Sequence, residues 1–530
     1  MCKAHRIAYG RASLIKALKI SVAGAAFICL ARIPEPVFAQ NLGSVDSGQT
    51  REWVPGAINH AQEMRSHKDS DHGSQSTPDT IPKFAIERDP SGGIATFQPS
   101  GPTSTASNAF FQNLGTNGRT CFTCHQPQNG WTISAAGARS RFEATSGNDP
   151  LFRLVDGATC PTDKVGSPGE KRQAYKLLIE KGLIRIGLPL PANAQFEVAD
   201  VDDPYGCTTS PATGLTSKTS GVLSMYRRPL PSTNLGFLTA IMWDGREPSL
   251  ASQSVDATLI HAQAGGAPTG EQQAQIVAFE SGIFTAQELD NKAGDLHDDL
   301  GANGGPVVLS RELAKFFIGV NDPVGLNPKG TPFDPNIFDL YTTPMWSGFK
   351  PDEEDEIQTV RTAAARRSIA RGEQVFNTTA INITGVTGLN DALNLPSIAG
   401  FCGTCHDTPD VGNHSVKAPL NIGIANAGAN KPPALDISGL PTFTLRCTKG
   451  TLAGKVFQVT DPGRAMITGN CADIGKVKGP ILRGLAARAP YFHNGSAATL
   501  TDVVNFYDQR FAIGFTEEEK QDLVNFLNAL

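Results

Sequence analysis

The chain has 530 residues, 40% of them hydrophobic and 18% charged, apolar material enough for roughly two to four domains. A formal net charge of -5 without a long basic stretch excludes an electrostatic case for nucleic-acid binding. The sequence has no zinc finger and no coiled-coil heptads.

The chain opens on a processing signal. Lys3, His5, Arg6, Arg11, Lys16 and Lys19 form a basic start, residues 20–31 an apolar stretch, and Val37-Phe38-Ala39 before Gln40 a small-residue cleavage site. The apolar stretch is shorter than the roughly 20 residues of a spanning helix, and Pro34 and Pro36 follow it. Residues 1–39 are therefore expected to be a signal peptide, and the mature chain to be periplasmic with no membrane span.

Residues 40–104 are rich in Ser, Gly, Pro, Asp and His and read as an extended or partly disordered leader, with His60, His67 and His72 as solvated side chains. Ordered structure is expected from about Ala106. Asn108 to Leu114 predicts a short helix, and Glu170 to Lys181 another, stopped by Gly182. Residues 265–270 and 301–306 read as loops, and the proline-rich 323–351 as a linker or surface crossover. Thr359 to Phe376 predicts a helix rich in Ala and Arg, followed by a polar insertion over 377–400. In the final helix Thr516 and Glu519 form a capping box, and Leu523, Phe526, Leu527 and Leu530 line one face.

A repeat emerges from this pass. A helix precedes each of two CxxCH motifs, Cys121-Phe122-Thr123-Cys124-His125 and Cys402-Gly403-Thr404-Cys405-His406. CxxCH is the attachment pattern of c-type haem: two thiols add to the two vinyl groups, and the histidine becomes the proximal iron ligand. Structural zinc would call for further cysteine pairs at finger spacing, which the sequence lacks. The expected architecture is mainly α, two cytochrome c-like haem domains with long loop insertions, over 105–350 and 351–530, holding two covalently bound c-type haems. Four further exported cysteines, Cys160, Cys207, Cys447 and Cys471, suit disulfides. The sequence-local pairing is Cys160–Cys207 and Cys447–Cys471, one of three possible connectivities. The second axial position of each iron decides its chemistry. No histidine lies between His125 and His261, and the only methionines there are Met225 and Met242, which favours an open first haem.

Two further segments carry a family resemblance. Trp243-Asp244-Gly245-Arg246 with Ser249-Leu250 and Gln253, and Leu482-Arg483-Gly484-Leu485 with Ala489-Pro490-Tyr491-Phe492-His493-Asn494-Gly495, Thr499-Leu500 and Val503-Val504, resemble segments of bacterial di-haem cytochrome c peroxidases and MauG. The resemblance covers about residues 105–530, interrupted mainly within 126–220 and 260–355. It implies a peroxidatic first haem on His125, an electron-transfer second haem on His406, Trp243 between the haems and Gln253 in the distal pocket. It also implies a distal ligand for the second haem fourteen residues after His493, at Tyr507, as in MauG; Met466 is the runner-up.

Three departures accompany the resemblance. The position of the family's distal glutamate is Gln263, which lacks carboxyl acid–base chemistry; His261, two residues away, is the substitute. The histidine that caps the resting peroxidase haem is missing near Arg141. The inter-haem calcium site, two carbonyls matching Arg488 and Pro490 plus an asparagine, has Arg228 at the side-chain position, which cannot ligate calcium and counts against it; Asn234, close by, is the alternative ligand that keeps calcium open. The expected activity is reduction of hydrogen peroxide at the N-terminal haem, with electrons from a small cytochrome c or cupredoxin passed through the C-terminal haem. The alternatives are MauG-like or rubber-oxygenase-like oxidation of a protein or organic substrate, with oxygen as a further candidate oxidant, and a non-enzymatic electron-transfer cytochrome.

Overall fold

In the computed structural model, residues 77–207, 209–210, 214–215, 222–348 and 357–530 are described. The expected signal peptide, the three early histidines and the 350/351 boundary between haem segments lie outside them.

Short strands, paired with partners far along the chain, make up much of the frame. Phe84–Asp89 turns back into Gly92–Phe97 through an Asx turn, in which the Asp89 carboxylate accepts from the backbone N–H groups of Ser91 (2.7 Å) and Gly92 (2.9 Å). Gly92–Phe97 then pairs with Phe284–Asp290, almost two hundred residues on, in an antiparallel four-stranded sheet completed by Gly294–Asp295. A three-stranded sheet joins Phe196–Asp202 to Thr442–Cys447 and Val456–Val459, tying the first half of the chain to the second. The fold is therefore mixed α/β, 31% helix and 18% strand, and not mainly α as the sequence suggested. These strands are mostly two to seven residues long and owe their stability to non-local pairing, so a local periodicity scan misses them. Residues 80–104, expected as leader, are part of this framework: Thr80–Ile81 pairs with Thr103–Ser104, and Ile94 and Ala95 are buried.

The helices follow the sequence more closely. The predicted 170–181 helix forms as two pieces, Pro168–Ala174 and Lys176–Lys181, capped by Gly182 in the left-handed conformation. Ile357–Thr378 crosses the terminal Glu517–Asn528 helix at close range: a Cβ on Gly372 would stand 2.0 Å from the Asp522 carbonyl oxygen. Arg371 pairs with Asp522 (2.6 Å), Ser368 donates to it (2.5 Å), and Leu523, Phe526 and Leu527 are buried as predicted. Thr516 and Glu519 form the expected capping box. Both sequence-local disulfides, Cys160–Cys207 and Cys447–Cys471, are formed, and Cys121, Cys124, Cys402 and Cys405 stay free. No helix among the described residues is long and apolar enough to cross a membrane.

Candidate haem clefts and the residues between them

The two CxxCH segments adopt the same local structure. Cys121–Thr123 and Cys402–Thr404 are single 3-10 turns, and the backbone N–H groups of His125 and His406 each donate to the carbonyl of the first cysteine at 3.1 Å. Each imidazole Nδ1 donates to the carbonyl six residues on, His125 to Trp131 (2.9 Å) and His406 to Gly412 (2.7 Å). That bond places the proton on Nδ1 and leaves the Nε2 lone pair free. Burial pushes the His125 pKa down to about 4 and lowers that of His406, so both rings are neutral near pH 7, the form that ligates iron.

Each turn faces its own cleft. The first, with about 2000 Å³ of empty space, is lined by Cys121, Cys124 and His125; the second, about 1440 Å³, by Cys402, Cys405 and His406. The linings are largely apolar, as a porphyrin requires. At their junction lies Lys478, buried, its Nζ donating, among the described residues, to the Ala240 carbonyl alone (3.0 Å). Burial brings its pKa down to about 7 despite the attraction of Asp244. A buried ammonium with one carbonyl partner has capacity for an anion, which a haem carboxylate would meet. The residues present thus fit the group: the paired thiols would anchor it and the histidines ligate its iron.

The first cleft also gathers the residues expected on its distal side. Gln253 lies on the Leu250–Ile260 helix, and His261, the C-cap of that helix, lines the same cleft. Gln263 lines neither cleft; its side chain accepts from Asn117 (3.2 Å). His261 Nδ1 meets Asp156 at 2.5 Å, and Asp156 is paired with the buried Arg119 at 2.6 Å. Burial opposes ionisation of Asp156, but Arg119 and His261 outweigh it and hold the pKa down to about 2. A carboxylate locked in this way orients the imidazole. The proximal side holds a second acid: Glu280, on the Gly270–Gly282 helix, is buried, and burial raises its pKa to about 7.

Tyr507, on the Leu500–Phe511 helix, lines the second cleft, and burial, with the thiols of Cys405 and Cys402 nearby, pushes its pKa up. Met466 does not line this cleft; it is buried between Phe443, Leu445 and the Cys447–Cys471 disulfide. Trp243 lines both clefts and is fixed by its indole N–H donating to the Arg228 carbonyl (2.8 Å).

The calcium position is filled by protein. Arg228 is buried, and its guanidinium donates to the carbonyls of Arg488 (2.9 Å), Ile133 (2.7 Å) and Gly182 (2.9 Å). Gly182 admits it: a Cβ there would stand 1.8 Å from Nη1. The Asn234 amide is spent on the Thr285 backbone, donating at 2.8 Å and accepting at 3.0 Å. With a cation already on the Arg488 carbonyl and the asparagine engaged, the residues do not fit calcium.

Asp156, Ser232, Glu280 and Lys478 were not singled out in the sequence. Asp156 and Ser232 lie in loops with no motif around them. Glu280 did leave a signal, a carboxylate on the face shared by Ile276 and Phe279.

Fold and site together define a c-type cytochrome with covalently attached haem. A family model described as RoxA-like, cytochrome c-like, matches residues 477–513. Cytochrome-c peroxidase IdrP1 of Denitromonas iodatirespirans is 42% identical over 81 residues, 13% of this chain and 22% of the relative. Cytochrome-c peroxidase IdrP2 of the same organism is 32% identical over 145 residues, 25% of this chain and 36% of the relative. Cytochrome c551 peroxidase of Nitrosomonas europaea is 28% identical over 151 residues, 27% of this chain and 36% of the relative. The chain thus spans between 22% and 36% of the length of these curated relatives. A solved structure of a MauG-like protein associated with microbial copper homeostasis aligns over 80% of this chain and 86% of its own, at 14% identity and a TM-score of 0.35. Over part of its length the chain is similar to cytochrome-c peroxidases and to a RoxA-like cytochrome c domain.

Proposed function

We propose that this chain is a periplasmic di-haem oxidoreductase that reduces hydrogen peroxide in the first cleft, with electrons delivered from a small cytochrome c or cupredoxin by way of the second. The observation that carries this reading is that Trp243 lines both clefts, each with its own CxxCH turn. Bound haem supplies the iron that takes up peroxide and accepts electrons one at a time. Reduction of hydrogen peroxide to two waters takes two electrons and two protons, so the chain must handle protons at the first cleft and electrons between clefts. His261 holds the proton: Asp156 keeps Nδ1 protonated and leaves Nε2 to accept a proton from one peroxide oxygen and return it to the other. Gln253 orients the bound peroxide through its amide. Trp243 provides the path between clefts, and Tyr507, which lines the second, would hold the iron there together with His406.

Electron paramagnetic resonance of the oxidised, haem-loaded protein tests this. One high-spin and one low-spin ferric signal, the high-spin one lost on adding peroxide, is the expected result. Two low-spin signals that ignore peroxide, before and after partial reduction, would leave an electron carrier.

A second reading rests on Tyr507 in the second cleft together with the RoxA-like match over residues 477–513. It has the first cleft oxidise a protein or organic substrate. Peroxide consumed without oxidation of an added donor protein would favour it.

A further inference from the structure

The two CxxCH histidines differ in one respect. Among the described residues, His406 Nδ1 has the Gly412 carbonyl as its partner. His125 Nδ1 has two, the Trp131 carbonyl and the Ser232 hydroxyl, both at 2.9 Å. Ser232 is held in place, since its own backbone N–H donates to that same Trp131 carbonyl at 2.9 Å. Behind Ser232 stands Glu280, which lines the same cleft. The carboxyl is buried, and among the described residues its Oε2 has no hydrogen-bond partner and no cation is paired with it.

An unpaired buried carboxyl destabilises a fold, and Glu280 makes no ion pair that offsets the cost. Its neighbours are the first CxxCH turn and Ser232. Taking His125 as the iron ligand of the first cleft, as the functional reading requires, we propose that Glu280 is a positioning residue that acts on that iron through Ser232.

In the proposed relay the Nδ1 proton of His125 is shared between the Trp131 carbonyl and the Ser232 oxygen, while the Ser232 hydroxyl proton is donated to the Glu280 carboxylate. No bond to hydrogen is broken. The chain of two hydrogen bonds shifts electron density toward Nε2, and a more basic imidazole stabilises the oxidised iron. His406 lacks such a chain, so the same fold gives the two sites unequal ligands. The consequence is a first haem with a lower potential than an identical site without the relay.

The test is made on the full, haem-loaded chain, with haem content measured first. Ser232→Ala removes the link and keeps the charge; Glu280→Gln keeps a hydrogen-bonding amide and removes the charge. Spectroelectrochemical titration then reads each haem separately, and resonance Raman of the reduced protein reads the iron–histidine stretch. Both variants are expected to shift the ferric/ferrous equilibrium of the first haem about tenfold toward ferrous, about 59 mV for one electron. They are also expected to lower its iron–histidine frequency and to leave the second haem unchanged. Ser232→Thr, which retains the hydroxyl, is expected to restore the parent values. If haem-loaded Ser232→Ala keeps the parent potential and frequency, the relay is wrong while the functional reading stands. If Glu280→Gln shifts the potential equally with and without Ser232, the effect is through space and the relay is again wrong. A parent protein with no haem on the first CxxCH sinks the functional reading itself.

Discussion

Asp156 joins two jobs that usually fall to different residues. It neutralises Arg119, whose guanidinium is also pinned to the carbonyls of Pro150 (2.9 Å) and Leu151 (2.6 Å), and it holds His261. Replacing it by asparagine keeps the shape but leaves Arg119 buried and unpaired, so Asp156→Asn is expected to cost about 3–5 kcal/mol in urea unfolding. The pH dependence has a definite sign. The folded pKa, about 2, lies below the ordinary aspartate value of 3.8. The pair's contribution is therefore present above about pH 4 and is lost as pH falls through about 2. It amounts to roughly 2 kcal/mol, and the loss should be absent from Asp156→Asn. Arg228 yields a second expectation at this scale. With its guanidinium on the Arg488 carbonyl, extended chelation should leave the haem spectrum and melting temperature unchanged, and a melting temperature restored only by added calcium would overturn that assignment. The two CxxCH turns were legible in the sequence because the motif is a contiguous code. Asp156, 31 residues beyond His125 and in a loop, was not, because loop closure alone brings it to His261.

At the scale of elements, helices with caps and a single apolar face were readable, and the terminal helix is the clearest case, from its Thr516 cap to its buried Phe526. The strands were not. Phe196–Asp202 takes its stability from Thr442–Cys447, which a window of a dozen residues does not contain. The same non-locality makes this sheet dependent on its staple. Cys447 ends its central strand and is bonded to Cys471 across 24 residues, while Cys160–Cys207 closes a span of 47. Loop-closure entropy assigns each about 3–4 kcal/mol. Replacing Cys447 and Cys471 together by serine is expected to lower the unfolding free energy by about that amount. Haem attachment should survive, because neither cysteine lines a cleft. Loss of haem from the second CxxCH in this variant would show that the sheet positions the second cleft, contrary to its placement beside it.

At the scale of the whole molecule, the two clefts are distinct but adjoining. The clefts share a wall of Trp243, Lys478, Tyr491 and Phe492. Beside it Arg227, Asp244 and Asp461 form a buried ion cluster, with Arg227 at 2.5 Å from Asp244 and 2.6 Å from Asp461. One guanidinium faces two carboxylates there, and Arg246, 3.1 Å from Asp244, supplies the second cation. The hydrogen bond from the Trp243 indole to the Arg228 carbonyl ties the wall to the residue whose guanidinium also holds Arg488. The wall is thus built from both halves of the chain at once. Trp243→Phe keeps an aromatic ring and removes the N–H, leaving the Arg228 carbonyl unpartnered at a cost of about 1–3 kcal/mol. If Trp243 is the path between clefts, this variant should retain both resting ferric signals while peroxide turnover falls by roughly tenfold, a barrier change of about 1.4 kcal/mol. Stopped-flow mixing of the half-reduced protein with peroxide separates the steps. Oxidation at the first haem should keep its parent rate, and the following oxidation of the second haem should slow. An unchanged second phase would place the electron path elsewhere in the shared wall, with Tyr491 and Phe492 the next residues to replace.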